Sequence, residues 1–322
     1  MSSTFASTRC PSAILGLVLS LFLCEPSSGE SDEWFDPQTL RCLVLLERDA
    51  TPEPTPLGTG FLALTPGPGP VAIVITAKHL LNRPSICVSV PAETSFVAYC
   101  SNNQLRCDSL QVQGYTWDLD GSKLRCRVSL RDCSRDLVVS HPDSGLDIAA
   151  FPLEIPKWLT VNGDTVLVSK CLLLGPGYFL NRETIPLGTR TYFLGFPMGL
   201  GAGDCISPVL RSGSVAYIDH FGKEFWLDSV SMGGNSGSPV FTGSERTVSL
   251  RYSPPQIVGM VVGHFCEHRT FLEEVSTPKG MVVVSAPAEL ENWGLARAIW
   301  AKDILVLLES IASDSGDDLG DQ

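Results

Sequence analysis

Residues 232–240 read Met-Gly-Gly-Asn-Ser-Gly-Ser-Pro-Val, and they carry the most specific signal in the sequence. Glycines on both sides of Ser236 allow unusual backbone dihedrals and close approach of the chain to other groups. A nucleophilic serine needs such a loop, because its hydroxyl must be exposed and backbone N–H groups must face the developing oxyanion. Ser236 is therefore the candidate nucleophile, and the amides of Gly234 and Ser236 are the candidate oxyanion donors. The alternative is an ordinary glycine-rich β-turn.

Two other segments place a histidine at the end of a predicted strand and an aspartate within one. Residues 75–79 read Ile-Thr-Ala-Lys-His, a buried strand that runs into His79, and a strand end is a rigid support for a general base. Asp147 is the one carboxylate in an apolar segment, where it needs a donor such as an imidazole N–H. Asp136 is a competing candidate, but its apolar run is shorter. Taken alone, His79 is more simply interpreted as a core or turn histidine, and the alternative for either aspartate is an ordinary turn or cap residue.

The three candidates occur in the chain order His79, Asp147, Ser236. This is the order of the chymotrypsin arrangement, and it differs from the orders found in subtilisin and in the α/β-hydrolases. The sequence also has no G-x-S-x-G motif on a strand-to-helix turn. The order therefore favours the chymotrypsin arrangement over the other two.

On these motifs the chain resembles the trypsin-like serine proteases, and it is most similar to bacterial HtrA-related members that lack a PDZ domain. The motifs that match are Thr76–His79, Asp147–Ala149 and Gly234–Pro239. Further matches are Gly58–Phe61, Leu194–Pro197, Gly213–Val215 and Ile257–Val261. The resemblance covers about residues 38–312, and no PDZ-sized segment follows residue 312.

The resemblance implies an all-β, chymotrypsin-like fold of two antiparallel six-stranded β-barrels with a C-terminal α-helix. His79 and Asp147 would lie on the first barrel and Ser236 on the second, with the site between them. His79 would take the Ser236 proton and Asp147 would fix the imidazole tautomer. The implied activity is hydrolysis of peptide bonds in protein or peptide substrates through an acyl-enzyme, without a cofactor.

Alignment with the family also suggests a substrate pocket, with Val230 at its base and Val262, Gly263 and His264 at its edge. Val230 does not support a preference for basic side chains. His264 would favour an acidic or amide side chain, although a polar loop residue is the simpler interpretation. His264 and His268 are four residues apart on an expected loop, which is a weak signal for a metal, and no metal site is predicted.

One departure from the digestive proteases concerns activation. Asn235 stands where those enzymes place the aspartate that pairs with a freed N-terminus. The resemblance to the HtrA-like pattern therefore implies activity without zymogen cleavage.

The chain divides into four predicted regions. Residues 1–29 are a predicted signal peptide, because an apolar run too short to span a bilayer precedes small residues. Residues 30–160 are the N-terminal barrel lobe with a cysteine-rich insert at about 82–141. Residues 161–312 are the C-terminal barrel lobe, which ends in a helix from about Ala301 to Ile311. Residues 313–322 are a predicted acidic, disordered tail.

Composition and targeting indicate an exported globular protein. The net charge of −12 disfavours nucleic acid, and 44% apolar with 18% charged residues is typical of a folded chain. We expect a secreted or periplasmic protein without a stable membrane span; lipid attachment at Cys24 is the less favoured reading, because bulky Leu23 precedes it. An exported chain is expected to form disulfides. The mature chain would keep nine cysteines, namely Cys42, Cys87, Cys100, Cys107, Cys126, Cys133, Cys171, Cys205 and Cys266.

Two other functions use the same fold. A catalytically inactive binding protein would use the cysteine-rich insert as its working surface, and an esterase would use the same triad on a different substrate. Both stay open at this stage, although a complete triad favours the endopeptidase.

Overall fold

The described part of the chain covers most of both predicted lobes. A computed structural model describes residues 37–50, 54–93, 97, 110–112, 114–131, 137–161, 164–180, 185–242, 255–277 and 280–317. The predicted signal peptide with Cys24, the competing Asp136, and three cysteines of the insert, Cys100, Cys107 and Cys133, lie outside these residues.

The first lobe is one antiparallel sheet of nine strands in the order β5-β6-β7-β4-β1-β2-β3-β9-β8. The strands are β1 Leu43–Arg48, β2 Thr55–Leu64, β3 Ala72–Thr76, β4 Ser85–Pro91, β5 Leu110–Val112, β6 Tyr115–Asp120, β7 Lys123–Ser129, β8 Val139–Ser140 and β9 Ala149–Pro152. The predicted insert thus supplies β4 to β8, so the hairpins expected there are part of the sheet itself.

The central strands of this sheet are apolar on both faces. In β3 all five residues are buried, because successive side chains point to opposite faces of a strand and both faces are covered. Val74 packs into the core enclosed by the first lobe, whereas Ile73 and Ile75 pack into a second cluster shared with the other lobe. We call this second cluster the interlobe core.

The second lobe is a closed six-stranded barrel with the order β12-β13-β14-β17-β16-β15, as predicted. Its strands are β12 Arg190–Gly195, β13 Val209–Ile218, β14 Glu224–Asp228, β15 Pro239–Thr242, β16 Ile257–Thr277 and β17 Gly280–Trp300. A small hairpin of β10 Trp158–Val161 and β11 Asp164–Leu167 joins the lobes. Phe193, Phe225, Val240 and Trp300 belong to the core of this barrel.

Strands β16 and β17 form a hairpin that extends beyond the other strands of the barrel. They pair from Gly259–Trp300 to Thr277–Gly280, whereas β14 pairs with β17 only from Leu295 to Ile299. The sequence suggested two short strands here, Ile257–Val262 and Met281–Val284, with a loop between them. His264 therefore lies in a strand, which corrects the expectation that residues 264–268 form a loop.

One α-helix, α1, closes the fold from Ala301 to Asp317. Ile304, Leu307 and Leu308 are fully buried in the interlobe core, which fits the apolar stripe seen in the sequence. The helix extends beyond the predicted end at Ile311, so residues 313–317 of the predicted disordered tail are helical. No helix of the described chain has the length and apolar character needed to cross a membrane.

The described cysteines are free thiols, so the expected disulfides find no support among them. They are Cys42, Cys87, Cys126, Cys171, Cys205 and Cys266. Burial raises the pKa of Cys126 to about 12 and that of Cys171 to about 11. Such thiols stay protonated at neutral pH and are poor nucleophiles.

Candidate active site

The sheet of the first lobe brings His79 and Asp147 together. Strands β3 and β9 are antiparallel neighbours with Thr76 opposite Ala149, so the end of β3 lies beside the start of β9. His79 follows β3 in a 3-10 turn, Lys78–Leu81. Its Nδ1 lies 2.6 Å from Asp147 Oδ2, and its backbone N–H donates to Asp147 Oδ1 at 2.9 Å. Both carboxylate oxygens therefore orient the histidine.

Asp147 lies just before its strand, which begins at Ala149, and not within the strand as the sequence suggested. Its partial burial would raise the pKa of the carboxyl, but the hydrogen bond and the charge of His79 outweigh burial and lower the pKa. The carboxylate is therefore ionised at neutral pH and favours the imidazole tautomer that carries its proton on Nδ1.

The loop that carries Ser236 is held from both lobes. The Ser236 carbonyl accepts a hydrogen bond from the Thr59 N–H of β2 at 2.9 Å. On the other side, Gly237 N–H donates to the Val261 carbonyl of β16 at 2.7 Å. Gly237 has φ 88°, and a Cβ added there would collide with the Thr59 carbonyl. Only glycine fits where these two segments of the chain cross.

Gly58 connects the serine loop with the histidine turn. A Cβ added at Gly58 would lie 3.1 Å from the Ser236 carbonyl oxygen and would collide with the side chain of Leu80, the residue after His79. The structure records no hydrogen bond between the Ser236 hydroxyl and His79. In unliganded active sites such hydrogen bonds are often long or poorly aligned, and they tighten when substrate binds.

The turn that leads into Ser236 leaves backbone amides open. Asn235 N–H donates to the Met232 carbonyl at 3.0 Å, and Gly234, the third residue of this turn, has φ 98°. A positive φ at that position is typical of a type II turn. Within the described chain, the amides of Gly234 and Ser236 donate to no acceptor. These are the two amides that the sequence suggested as oxyanion donors.

Thr59, in β2 of the first lobe, stabilises this turn, and the sequence argument missed its role. It is fully buried, and its hydroxyl donates to the Gly234 carbonyl at 2.8 Å while accepting from Phe196 N–H at 3.2 Å. The only signal in the sequence was the motif Gly58–Phe61, which entered through resemblance alone. Nothing in the sequence shows that this motif crosses beneath the serine loop.

Asn235 and Ser238 point into the protein beneath the serine. Asn235 is 1% exposed, and neither polar atom of its side chain has a hydrogen-bond partner in the described chain; the same holds for Ser238 Oγ. A buried carboxylate in this position would need a cation, whereas a buried neutral amide costs much less. Asparagine therefore suits a loop that forms without a charged partner.

The predicted pocket residues are distributed over two environments. Val230 is 40% exposed after β14, whereas Val262 is buried in the interlobe core. Gly263 and His264 are partly buried in β16, where they pair with Arg297 and Ala296 of β17. In the described chain, no group of three or more His, Cys, Asp or Glu side chains could hold a metal ion.

An open cavity of about 510 Å³ lies beside the histidine and the aspartate, on the first lobe. Its polar lining includes His79, Asp147, Lys78, Arg131 and Ser144. Among the described residues, the side chains of Lys78 and Arg131 have no ion-pair or hydrogen-bond partner. The cavity therefore offers positive charge and room for part of a bound molecule next to the His79–Asp147 pair.

No family model and no curated protein matches the chain. Among solved structures, the chain is similar to the crystal structure of Rv3671c from M. tuberculosis H37Rv, a serine-to-alanine mutant in an inactive form. The two chains are 12% identical, the match covers 85% of this chain and 88% of the other, and the TM-score is 0.38. The assignment of a chymotrypsin-like double barrel rests on the strand order described above.

Proposed function

We propose that the chain is an exported serine endopeptidase of the trypsin-like kind. Ser236 is the nucleophile, His79 the general base and Asp147 the residue that orients the base. The observation that carries the proposal is the 2.6 Å contact between His79 Nδ1 and Asp147 Oδ2. Ser236 lies on a glycine-flanked turn with open amides, and Gly58 packs between this turn and the turn that carries His79. Export rests on the sequence of residues 1–29.

The chemistry follows from these groups. Ser236 Oγ forms a bond to the carbonyl carbon of the substrate while His79 Nε2 takes the hydroxyl proton. The resulting oxyanion accepts hydrogen bonds from the amides of Gly234 and Ser236. The carbon–nitrogen bond then breaks, and His79 gives its proton to the leaving amine. Water repeats the sequence on the acyl-enzyme, which releases the acid and restores Ser236.

Labelling with a fluorophosphonate probe tests the proposal without a known substrate. In this reaction an Oγ–P bond forms, the P–F bond breaks, fluoride leaves and His79 takes the proton. We expect wild type to be labelled, and Ser236→Ala and His79→Ala to lose the label at unchanged thermal stability. Thr242→Ala, at the end of β15 of the same barrel, is the control that should keep it.

Equal labelling of wild type and Ser236→Ala would contradict the proposal. An unlabelled wild type that also leaves casein intact at acidic, neutral and alkaline pH would point to the inactive binding protein instead. Labelling at Ser236 together with cleavage of esters but not of casein would point to the esterase.

A further inference from the structure

Met198 has an unusual backbone conformation. Its φ is 51° and its ψ is 27°, which makes it the non-glycine residue with positive φ in the described chain. A bulky residue in the left-handed region is strained and stays there only when its surroundings require it. The Met198 side chain is 75% exposed, so its packing does not explain the strain. The cause must lie in the backbone.

The backbone N–H of Met198 donates to the carbonyl of Gly233 at 2.6 Å. The turn that presents this N–H is closed by Leu200 N–H, which donates to the Pro197 carbonyl at 2.9 Å. Met198 and Gly199, with φ 76°, are the two central residues, and positive φ at both is typical of a type I′ turn. The left-handed conformation of Met198 is thus part of the geometry that aims its N–H at the serine loop.

The Gly233 carbonyl and the Gly234 N–H belong to the same peptide group. In a trans peptide the two bonds point in opposite directions. When Met198 binds the carbonyl, the Gly234 N–H must therefore point away from Met198. Phe196 packs against the same turn, because its carbonyl lies so close to Gly234 that an added Cβ would collide with it. Reversing the peptide would break the hydrogen bond to Met198.

We propose that Met198 is a positioning residue for the oxyanion donor. Its strained, left-handed backbone fixes the Gly233–Gly234 peptide so that the Gly234 N–H faces the reacting carbonyl. The inference rests on the proposed function, since it assigns a role within that active site. It predicts that backbone conformation, and not the methionine side chain, is what the site requires at residue 198.

Three variants separate backbone from side chain. Met198→Gly removes the side chain but keeps the N–H and favours positive φ. Met198→Val also shortens the side chain, but its β-branched Cβ strongly disfavours positive φ. Leu200→Val is the matched control, because Leu200 is 58% exposed in the same turn and has an ordinary φ of −62°.

The measurement is the rate of fluorophosphonate labelling, separated into the maximal rate constant and the probe concentration at half-maximal rate. We expect Met198→Val to lower the maximal rate about tenfold with little change in half-saturation; complete loss of an oxyanion donor costs about 100- to 1,000-fold. Met198→Gly and Leu200→Val should stay within about twofold of wild type. A purely structural role would lower thermal stability without this pattern.

A crystal structure of Met198→Val supplies a second measurement that does not depend on turnover. We expect the Gly233–Gly234 peptide to be reversed or split between two orientations, and to be unchanged in Met198→Gly. If wild type is labelled at Ser236 and Met198→Val reacts equally fast with an unchanged peptide, this inference alone is wrong. Equal losses in Met198→Val and Met198→Gly would also overturn it, because they would assign the effect to the side chain. If Ser236 is never labelled, the proposed function fails and this inference fails with it.

Discussion

At the scale of single residues, Thr59 links the two lobes more directly than any member of the proposed triad. Its N–H, hydroxyl and carbonyl bind, in turn, the Ser236 carbonyl, the Gly234 carbonyl and the hydroxyl of Thr76. The partners come from both lobes; Thr59 and Thr76 are fully buried, and Gly234 and Ser236 are partly buried. Polar groups buried in this way need their hydrogen bonds, because water cannot replace a lost partner.

Substituting Thr59 by valine keeps the shape of the side chain but removes the hydroxyl. The Gly234 carbonyl and the Phe196 N–H would lose their shared partner. We expect the free energy of unfolding to fall by about 1–3 kcal/mol and fluorophosphonate labelling to slow. Thr59→Ser, which keeps the hydroxyl, should lose less than half as much. Urea unfolding of the two variants checks this. A loss in Thr59→Ser as large as that in Thr59→Val would contradict the dominant role of the hydroxyl.

The sequence could single out His79, Asp147 and Ser236 as candidates because nucleophilic chemistry requires particular side chains in an informative chain order. It could not identify Thr59 or Met198, since both act through hydrogen bonds to backbone groups that are distant along the chain. Asp147 was identified but placed inside a strand, because apolar patterning does not fix an element boundary to within two residues.

At the scale of elements, helix α1 carries a partly buried acid in its first turn. Asp303 Oδ2 is buried with no hydrogen-bond partner in the described chain. Burial raises the pKa of this carboxyl, and the opposing effects of Lys302 and His141 do not cancel the rise. Asp143 adds to the rise, whereas Lys223 opposes it. The charged form of Asp303 is therefore less stable in the folded protein than in the unfolded chain.

The pH dependence of stability follows from the raised pKa of Asp303. The folded state holds the Asp303 proton more tightly, so the free energy of unfolding falls as pH rises from about 3.9, the ordinary pKa, through the raised folded pKa. Asp303→Asn removes this loss. We expect the variant to be more stable than wild type by on the order of 1 kcal/mol at neutral pH, and the gain to vanish below about pH 4.

Thermal unfolding at several pH values, with Glu309→Gln as the exposed control on the same helix, measures the gain. A gain that is the same at every pH would show that the charge of Asp303 is not its cause.

Elements differ in how well the sequence defines them. Strands with both faces buried, such as β1 and β3, read as short apolar runs between turns. The runs Cys42–Glu47 and Val71–Thr76 lie within one residue of these two strands. The hairpin of β16 and β17 was underestimated, because charged residues interrupt the apolar pattern of residues 264–277 and Pro287 lies within β17. The two strands follow one another in the sequence, and their pairing reaches as far as Thr277 opposite Gly280.

At the scale of the whole molecule, the two lobes share a hydrophobic core. The interlobe core contains Phe61 and Ile75 of the first lobe, Leu194 and Met260 of the second, and Leu308 of α1. A site built from both lobes needs them in a fixed relation, because misplacement by about 1 Å costs catalysis on the order of a hundredfold. The sequence predicted two lobes and a final helix, but it could not show that the helix packs against both.

This shared core predicts that the lobes unfold together. Leu308→Ala should leave a cavity in the interlobe core and lower the free energy of unfolding by about 2–5 kcal/mol. Because the cavity borders both lobes, hydrogen exchange should quicken equally for the slowest amides of β1 in the first lobe and β13 in the second. Val306→Ala, on the exposed face of α1, should change neither. If only β13 loses protection, the lobes are separate cooperative units, and the fixed geometry between His79 and Ser236 must come from the hydrogen bonds around Thr59 alone.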